Sequence, residues 1–216
     1  MPATKIARII AADLLSIRAV FLRPEEPFTW ASGIQSPIYC DNRITYAEPA
    51  VRKHIAEGYM QVIKEKYPEC EAVIGTSTSG IGYAALAAWL MGLPTGYVRG
   101  SAKTHGRNNK IEGRVTPGQK VVVVEDLIST AGSVIEVVEI LREAGAEVLG
   151  IVSIFTYGMQ KGLDRLAGAN VENTSLTNFD VLVELAAEIG YIAPGAVAAL
   201  LKFRDAPGDP GWMEML

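Results

Sequence analysis

Hydrophobic positions in this chain recur with two different spacings, and the changes between them mark its elements. Over residues 6–17, Ala, Leu and Ile of good helix propensity predict a first helix. Residues 49–67 predict a second: Pro49 suits a first turn, and Val51, Ile55, Tyr59, Val62 and Ile63 share one face. Between them, residues 28–41 carry aromatics, Thr, Ser, Gly and Pro, and predict short extended pieces. From residue 71 onward the rhythm is strand, loop, helix. Apolar runs at 72–75, 95–99 and 148–156 predict strands, and the four valines Val121 to Val124 predict a strand buried on both faces. Helices are predicted at 81–91 and at 134–144, where Val134, Val137, Val138 and Leu141 line one side. The alternation continues with a helix near Leu163, a strand near 171–176, and helices near 179–189 and 196–203. Residues 205–216 hold two prolines and two glycines and read as a surface tail.

Strands alternating with helices predict an α/β fold, a mostly parallel sheet flanked by helices. We expect a single domain over 1–216: an N-terminal helix and hood segment (about 1–45), a core (about 46–205) and a tail (206–216). Ligands in such sheets bind at the carboxyl ends of strands, which says where to look for chemistry. Composition narrows the picture. Hydrophobic residues make up 49% of 216, enough for a core without staples. The net charge of −4 offers no global attraction to nucleic acid or an anionic membrane, so any anion site must be local. Two cysteines, Cys40 and Cys70, make no disulfide framework. The N-terminus lacks a secretory pattern and no 18-residue apolar run exists, so a soluble cytoplasmic protein without a membrane partner is expected.

The most informative stretch is Val121 to Ser133. A buried strand delivers two carboxylates, Glu125 and Asp126, followed by Leu127, Ile128 and a small turn, Ser129-Thr130-Ala131-Gly132-Ser133, that opens a helix. Small residues and Gly132 let backbone N–H groups approach a phosphate near a helix N-terminus, and three hydroxyls add donors. No Gly-Lys-Ser/Thr follows, so this is not a Walker A loop. A phosphate binder gains nothing from two adjacent acids unless they serve a different group. Carboxylates accept, and a sugar diol offers two donors. The combination describes a ribose 5-phosphate cradle. Helix capping explains any one of these residues, but not the acids and the turn together at a strand's carboxyl end.

Two further segments are unusual. Residues 99–114 hold Arg99, Lys103, Arg107, Lys110 and Arg114, five basic residues in sixteen against 20 in the whole chain, with His105 among them. From Gly100 to Arg114, three glycines and no apolar period predict a mobile loop, a local anion trap in an acidic protein, while Arg99 ends the strand before it. Closing on a departing diphosphate and then releasing it would suit such a loop. Residues 28–41, from Phe28-Thr29-Trp30 to Tyr39-Cys40-Asp41, form an aromatic, kinked segment suited to hooding a flat ring.

The stretch from Val121 to Ser133 resembles the phosphoribosyl diphosphate (PRPP) motif of the type I phosphoribosyltransferases: four apolar residues, two acids, two apolar residues and a hydroxyl- and glycine-rich turn. The run from Tyr97 to Gly106 and the hood segment resemble the orotate phosphoribosyltransferases, and the likeness covers roughly residues 5–205. It implies transfer of the phosphoribosyl group from PRPP to orotate, giving orotidine 5′-phosphate and diphosphate. It implies that Glu125 and Asp126 hold the ribose hydroxyls, with Leu127 and Ile128 inside the motif, and that Ser129, Thr130, Ala131, Gly132 and Ser133 hold the 5-phosphate. Arg99, Lys103 and His105 fall on positions that contact PRPP and act in catalysis; backbone at Tyr39 and Cys40, with Ser129, meets orotate. The resemblance also implies Mg²⁺, held mainly by PRPP and water rather than by protein ligands. It implies a homodimer with shared active sites, in which the loop carrying Lys103 and His105 closes over the neighbour's PRPP.

The chain departs from the commoner family pattern at four places. Ala31, Ser79 and Gly100 stand where basic residues are frequent, and Thr156 where an arginine near the orotate carboxylate is frequent. A bacterial branch with the same Phe-Thr-Trp-Ala-Ser-Gly and Glu-Asp-Leu-Ile-Ser-Thr wording also lacks them, which points to a variant site. A purine-type phosphoribosyltransferase would share the cradle but not the hood. A PRPP-sensing regulator would add a DNA-binding module, for which the fold signal leaves no room; no nucleic-acid partner is expected.

Overall fold

The computed structural model describes residues 3–30, 33–100 and 110–216. Lys103 and His105 lie outside the described residues, as does Ala31. In chain order the elements are α1 (Ala3–Ser16), β1 (Val20–Leu22), β2 (Phe28–Thr29), β3 (Gln35–Ser36), β4 (Ile38–Cys40), a 3₁₀ helix (Asn42–Ala47), α2 (Pro49–Lys66), β5 (Ala72–Thr76), α3 (Gly80–Met91), β6 (Thr95–Val98), β7 (Ile111–Glu112), β8 (Lys120–Ile128), α4 (Gly132–Glu143), β9 (Glu147–Thr156), α5 (Gln160–Gly168), β10 (Asn173–Asn178), α6 (Phe179–Glu188), α7 (Ala196–Asp205) and a second 3₁₀ helix (Pro210–Met215).

The four valines explain the layering. Successive side chains of a strand point to opposite faces. Val122 and Val124 enter one core with α1, α2, α3, α6 and α7, while Val121 and Val123 enter a second core with α4 and Leu166 of α5. The six-stranded sheet runs β10-β9-β8-β5-β6-β7. All pairs are parallel except β6–β7. This is the expected mostly parallel α/β sheet flanked by helices. The carboxyl ends of β5, β6, β8, β9 and β10 share one edge.

Four local expectations change. The valine strand runs on to Ile128, so Glu125 and Asp126 sit inside β8 rather than beyond it. Gly132 and Ser133 belong to the first turn of α4. Within the segment expected to be wholly loop, Ile111–Glu112 pairs with Tyr97–Val98. The tail is not simply surface: Trp212 is 1% exposed and packs edge-on to Phe203 at 5.8 Å. A lone Trp among prolines and glycines has no periodicity to reveal that it is buried. The hood is organised by a pairing with no sequence signal of its own, β1 against β4, where Val20–Leu22 meets Ile38–Cys40.

Candidate active site

The acidic pair is asymmetric. Glu125 is 7% exposed, and its Oε1 accepts from the Asp126 backbone N–H at 2.8 Å. Burial, then the neighbouring Asp126 carboxyl, push the Glu125 pKa up to about 8. Asp126 is half-buried. The carbonyls behind them are held by side chains: Tyr59 Oη donates to Glu125 O, and Asn42 Nδ2 donates to Asp126 O at 2.8 Å. At Asp126 the pair presents carboxyl oxygens at the carboxyl edge of the sheet, where a diol can donate to them.

The turn after β8 leaves main-chain donors open that an anion could use. The N-cap residue of α4 is Ala131, left-handed at φ 58° and ψ 7°. Alanine has no side chain with which to cap, so the first-turn N–H groups keep their donors for a ligand. A left-handed alanine costs about 1 kcal/mol over the usual backbone, a cost that capping does not explain. Arg165 of α5 buttresses the turn, its Nη1 donating to Thr130 O at 3.0 Å. Ile128 is buried in the α4 core, so only its backbone is available to a ligand. A cavity of about 520 Å³ begins at Ser129 and Thr156 and continues along α5 and β10.

A second turn, residues 77–79, faces this edge between β5 and α3. Close approach requires glycine there: a Cβ on Gly80 would lie 2.3 Å from Val124 O, and one on Gly75 2.7 Å from Gly80 O. Helix α3 is thereby pressed against β5 and β8. Tyr46 Oη donates to Ser79 O and fixes the turn from the other side. Arg99 follows β6 on the same edge; its N–H donates to Lys110 O at 2.8 Å, and its guanidinium reaches Glu112 at 3.5 Å.

The hood reaches the cradle through its second hairpin strand. Arg23 N–H donates to Pro37 O and Asp41 N–H to Ala19 O, both at 2.8 Å. By antiparallel alternation the Tyr39 backbone is then hydrogen-bonded to Phe21, so of the two backbones expected to meet orotate only that of Cys40 faces away from β1. Tyr39 holds its ring outward, 5.8 Å from Phe28. The Cys40 thiol turns inward to Asn42 Oδ1 at 3.3 Å, and burial pushes it well above the usual thiol range. Arg43, paired with Asp41 at 2.6 Å, adds a guanidinium beside this corner.

The structure therefore gathers Arg99, Glu125, Asp126, the turn from Ser129 to Ser133, Tyr39 and Cys40 around one sheet edge. Reading the sequence alone missed Asn42, Tyr46, Tyr59, Arg43 and Arg165. Only Asn42, beside the hood's Asp41, carried a local hint.

The phosphoribosyl transferase domain family matches residues 44–182. A protein of Enterococcus faecalis named orotate phosphoribosyltransferase is 53% identical over 208 residues, 96% of this chain and 99% of that protein. The chain belongs to the orotate phosphoribosyltransferase family. A Bacillus cereus protein of the same name is 54% identical over 204 residues, 94% of this chain and 97% of that one. The crystal structure of an orotate phosphoribosyltransferase from Aeropyrum pernix superimposes with a TM-score of 0.73 at 28% identity, covering 85% of this chain and 99% of that one. Family membership places the type I fold over the whole sheet.

Proposed function

We propose that the chain carries out the reaction of its family, transfer of the 5-phosphoribosyl group from PRPP to orotate, yielding orotidine 5′-phosphate and diphosphate. One observation carries the assignment of residues: an acidic pair inside β8 leads directly into a turn whose N-cap is a left-handed alanine without a side-chain cap. Asp126 and Glu125 take the ribose hydroxyls. The N–H groups and hydroxyls from Ser129 to Ser133 take the 5-phosphate. Leu127 and Ile128 carry the chain between them. The turn at 77–79 and Arg99 face the diphosphate, with Lys103 and His105 as further PRPP contacts. The outward N–H of Cys40, the Tyr39 ring and Ser129 orient orotate.

Bond breaking at the anomeric carbon runs ahead of bond making, so these residues act by positioning and by charge, with no side-chain nucleophile. The family implies Mg²⁺. Among the described residues no group of three or more could hold a metal alone. The oxygen donors of Asp126 suit a hard cation that arrives with PRPP and keeps substrate and water ligands. Such an ion would offset charge on the leaving diphosphate.

The working unit in this reading is one phosphoribosyltransferase domain paired with a second copy. An exposed Trp89, 78% accessible, stands with Leu86 and Leu90 beside Arg52, Lys53 and Glu57, an aromatic surface with a charged rim suited to that contact. Free thiols at Cys40 and Cys70 fit a cytoplasmic setting. No helix among the described residues is long and apolar enough to cross a membrane. Nucleic acid has no part in the proposal. The deciding assay follows loss of orotate absorbance with PRPP and Mg²⁺. Turnover in the native chain, falling about 100-fold or more in Asp126→Asn, is expected; near-normal kinetics in that variant would remove the cradle assignment.

A further inference from the structure

The 3₁₀ helix Asn42–Ala47 touches three parts of the site at once. Asn42 is 1% exposed. Its Nδ2 donates to the main-chain carbonyl of Asp126 at 2.8 Å, and its Oδ1 accepts from the Cys40 thiol at 3.3 Å. Thr45 donates its hydroxyl to Asn42 O and lies 2.6 Å from Tyr83 Oη. Tyr46 stacks on Tyr83 at 4.6 Å and donates to Ser79 O. Hood, ribose cradle and diphosphate turn are thus tied to one six-residue segment.

The cradle needs such a tie. Pairing of β8 with β5 ends at Val124 against Gly75, one residue before the acidic pair. Beyond it β8 keeps only its ladder to β9, which runs on to Ile128, and side chains donate to the carbonyls of Glu125 and Asp126. A buried carbonyl left without its donor costs about 1–3 kcal/mol, so the backbone would shift to find another. The Asp126 carboxylate would move with it.

We propose that Asn42 is a positioning residue for the transfer reaction: acting through the Asp126 carbonyl, it fixes the ribose cradle relative to the hood that holds the base. It touches neither substrate. Displacement by about 1 Å from an attack geometry can cost on the order of 100-fold, so the effect falls on turnover. The proposal rests on the assignment of Asp126 to the ribose.

The test measures kcat and both KM values for Asn42→Leu and Asn42→Ala in the full chain, at a temperature where near-ultraviolet circular dichroism shows each variant folded. A fall in kcat of about tenfold or more is expected, with each KM within about threefold. A merely structural residue lowers Tm and leaves the kcat of the folded protein unchanged, and that result would overturn the proposal. If neither variant folds, Thr45→Val removes the hydroxyl that holds Asn42 O. It should lower kcat alone by about threefold, and an unchanged kcat again overturns the proposal. Asp126→Asn, assayed in parallel, separates the two levels. Normal kinetics there sinks the cradle assignment and this inference with it; impaired Asp126→Asn beside normal Asn42 variants sinks this inference only.

Discussion

In the proposed reaction Glu125 takes a ribose hydroxyl, and the same residue weighs on the stability of the ligand-free protein. Its carboxyl is buried, and its pKa is pushed up to about 8 by that burial and by Asp126. A raised carboxyl pKa means that the folded state holds the proton more tightly than the unfolded chain does. Its contribution to stability is full below the ordinary value of 4.5 and is lost as pH rises toward about 8. Glu125→Gln keeps an oxygen for the Asp126 N–H but cannot ionise. We expect it to stabilise the ligand-free protein at pH 9, on the order of 1–3 kcal/mol, and to change little at pH 5. Thermal unfolding at the two pH values checks this, and an equal shift at both would contradict it. Turnover in the same variant should fall, because an amide offers the ribose hydroxyls one acceptor oxygen fewer than a carboxyl.

At the scale of elements, the decisive contact is between the start of α3 and the ends of β5 and β8. Gly80 sits where any Cβ would overlap Val124 O and Thr76 Oγ1. Gly80→Ala should therefore push α3 and the turn at 77–79 away from β8. We expect about 1–3 kcal/mol of lost stability in urea unfolding, together with a raised KM for PRPP. Lost stability with an unchanged KM would detach that turn from the diphosphate. The strand, loop and helix order around this contact was legible in the sequence because periods of 2 and 3.6 residues are local properties. The elements of two or three residues, β1, β2, β3, β4 and β7, span too few positions to show a period. The 3₁₀ helix at 42–47 is held by partners elsewhere in the fold, Tyr83 and Ser79 among them.

For the whole molecule, the far C-terminus supports the hood. Trp212 packs on Phe203, Phe203 lies 5.8 Å from Trp30, and Trp30 lies 6.1 Å from Tyr157. Trp212→Ala should cost about 3–5 kcal/mol and raise the KM for orotate more than that for PRPP. Equal KM values with a lowered Tm would limit the tail to a stability role. The proposed dimer makes a separate prediction. Lys103→Ala and Asp126→Asn, each inactive alone, are unfolded, mixed and reassociated. With shared sites, one site of each mixed dimer carries both defects and the other carries neither. Half the dimers are mixed, so about a quarter of wild-type activity should return. No recovery, with mixed dimers verified by mass spectrometry, would leave Lys103 acting in its own subunit.

By itself the sequence determined the two-faced parallel sheet, the edge that bears the site, and the acidic pair leading into a small hydroxyl-rich turn. Each of these is written in neighbouring residues, where alternation and turn chemistry act directly. The tertiary structure alone decided that Glu125 is buried while Asp126 is half-open, that Asn42 holds a carbonyl 84 positions away, and that Trp212 closes over the hood's aromatic line. Those outcomes depend on which distant groups meet once the layers have packed. A buried carbonyl takes whichever donor the fold brings within reach, and no local pattern names that donor in advance.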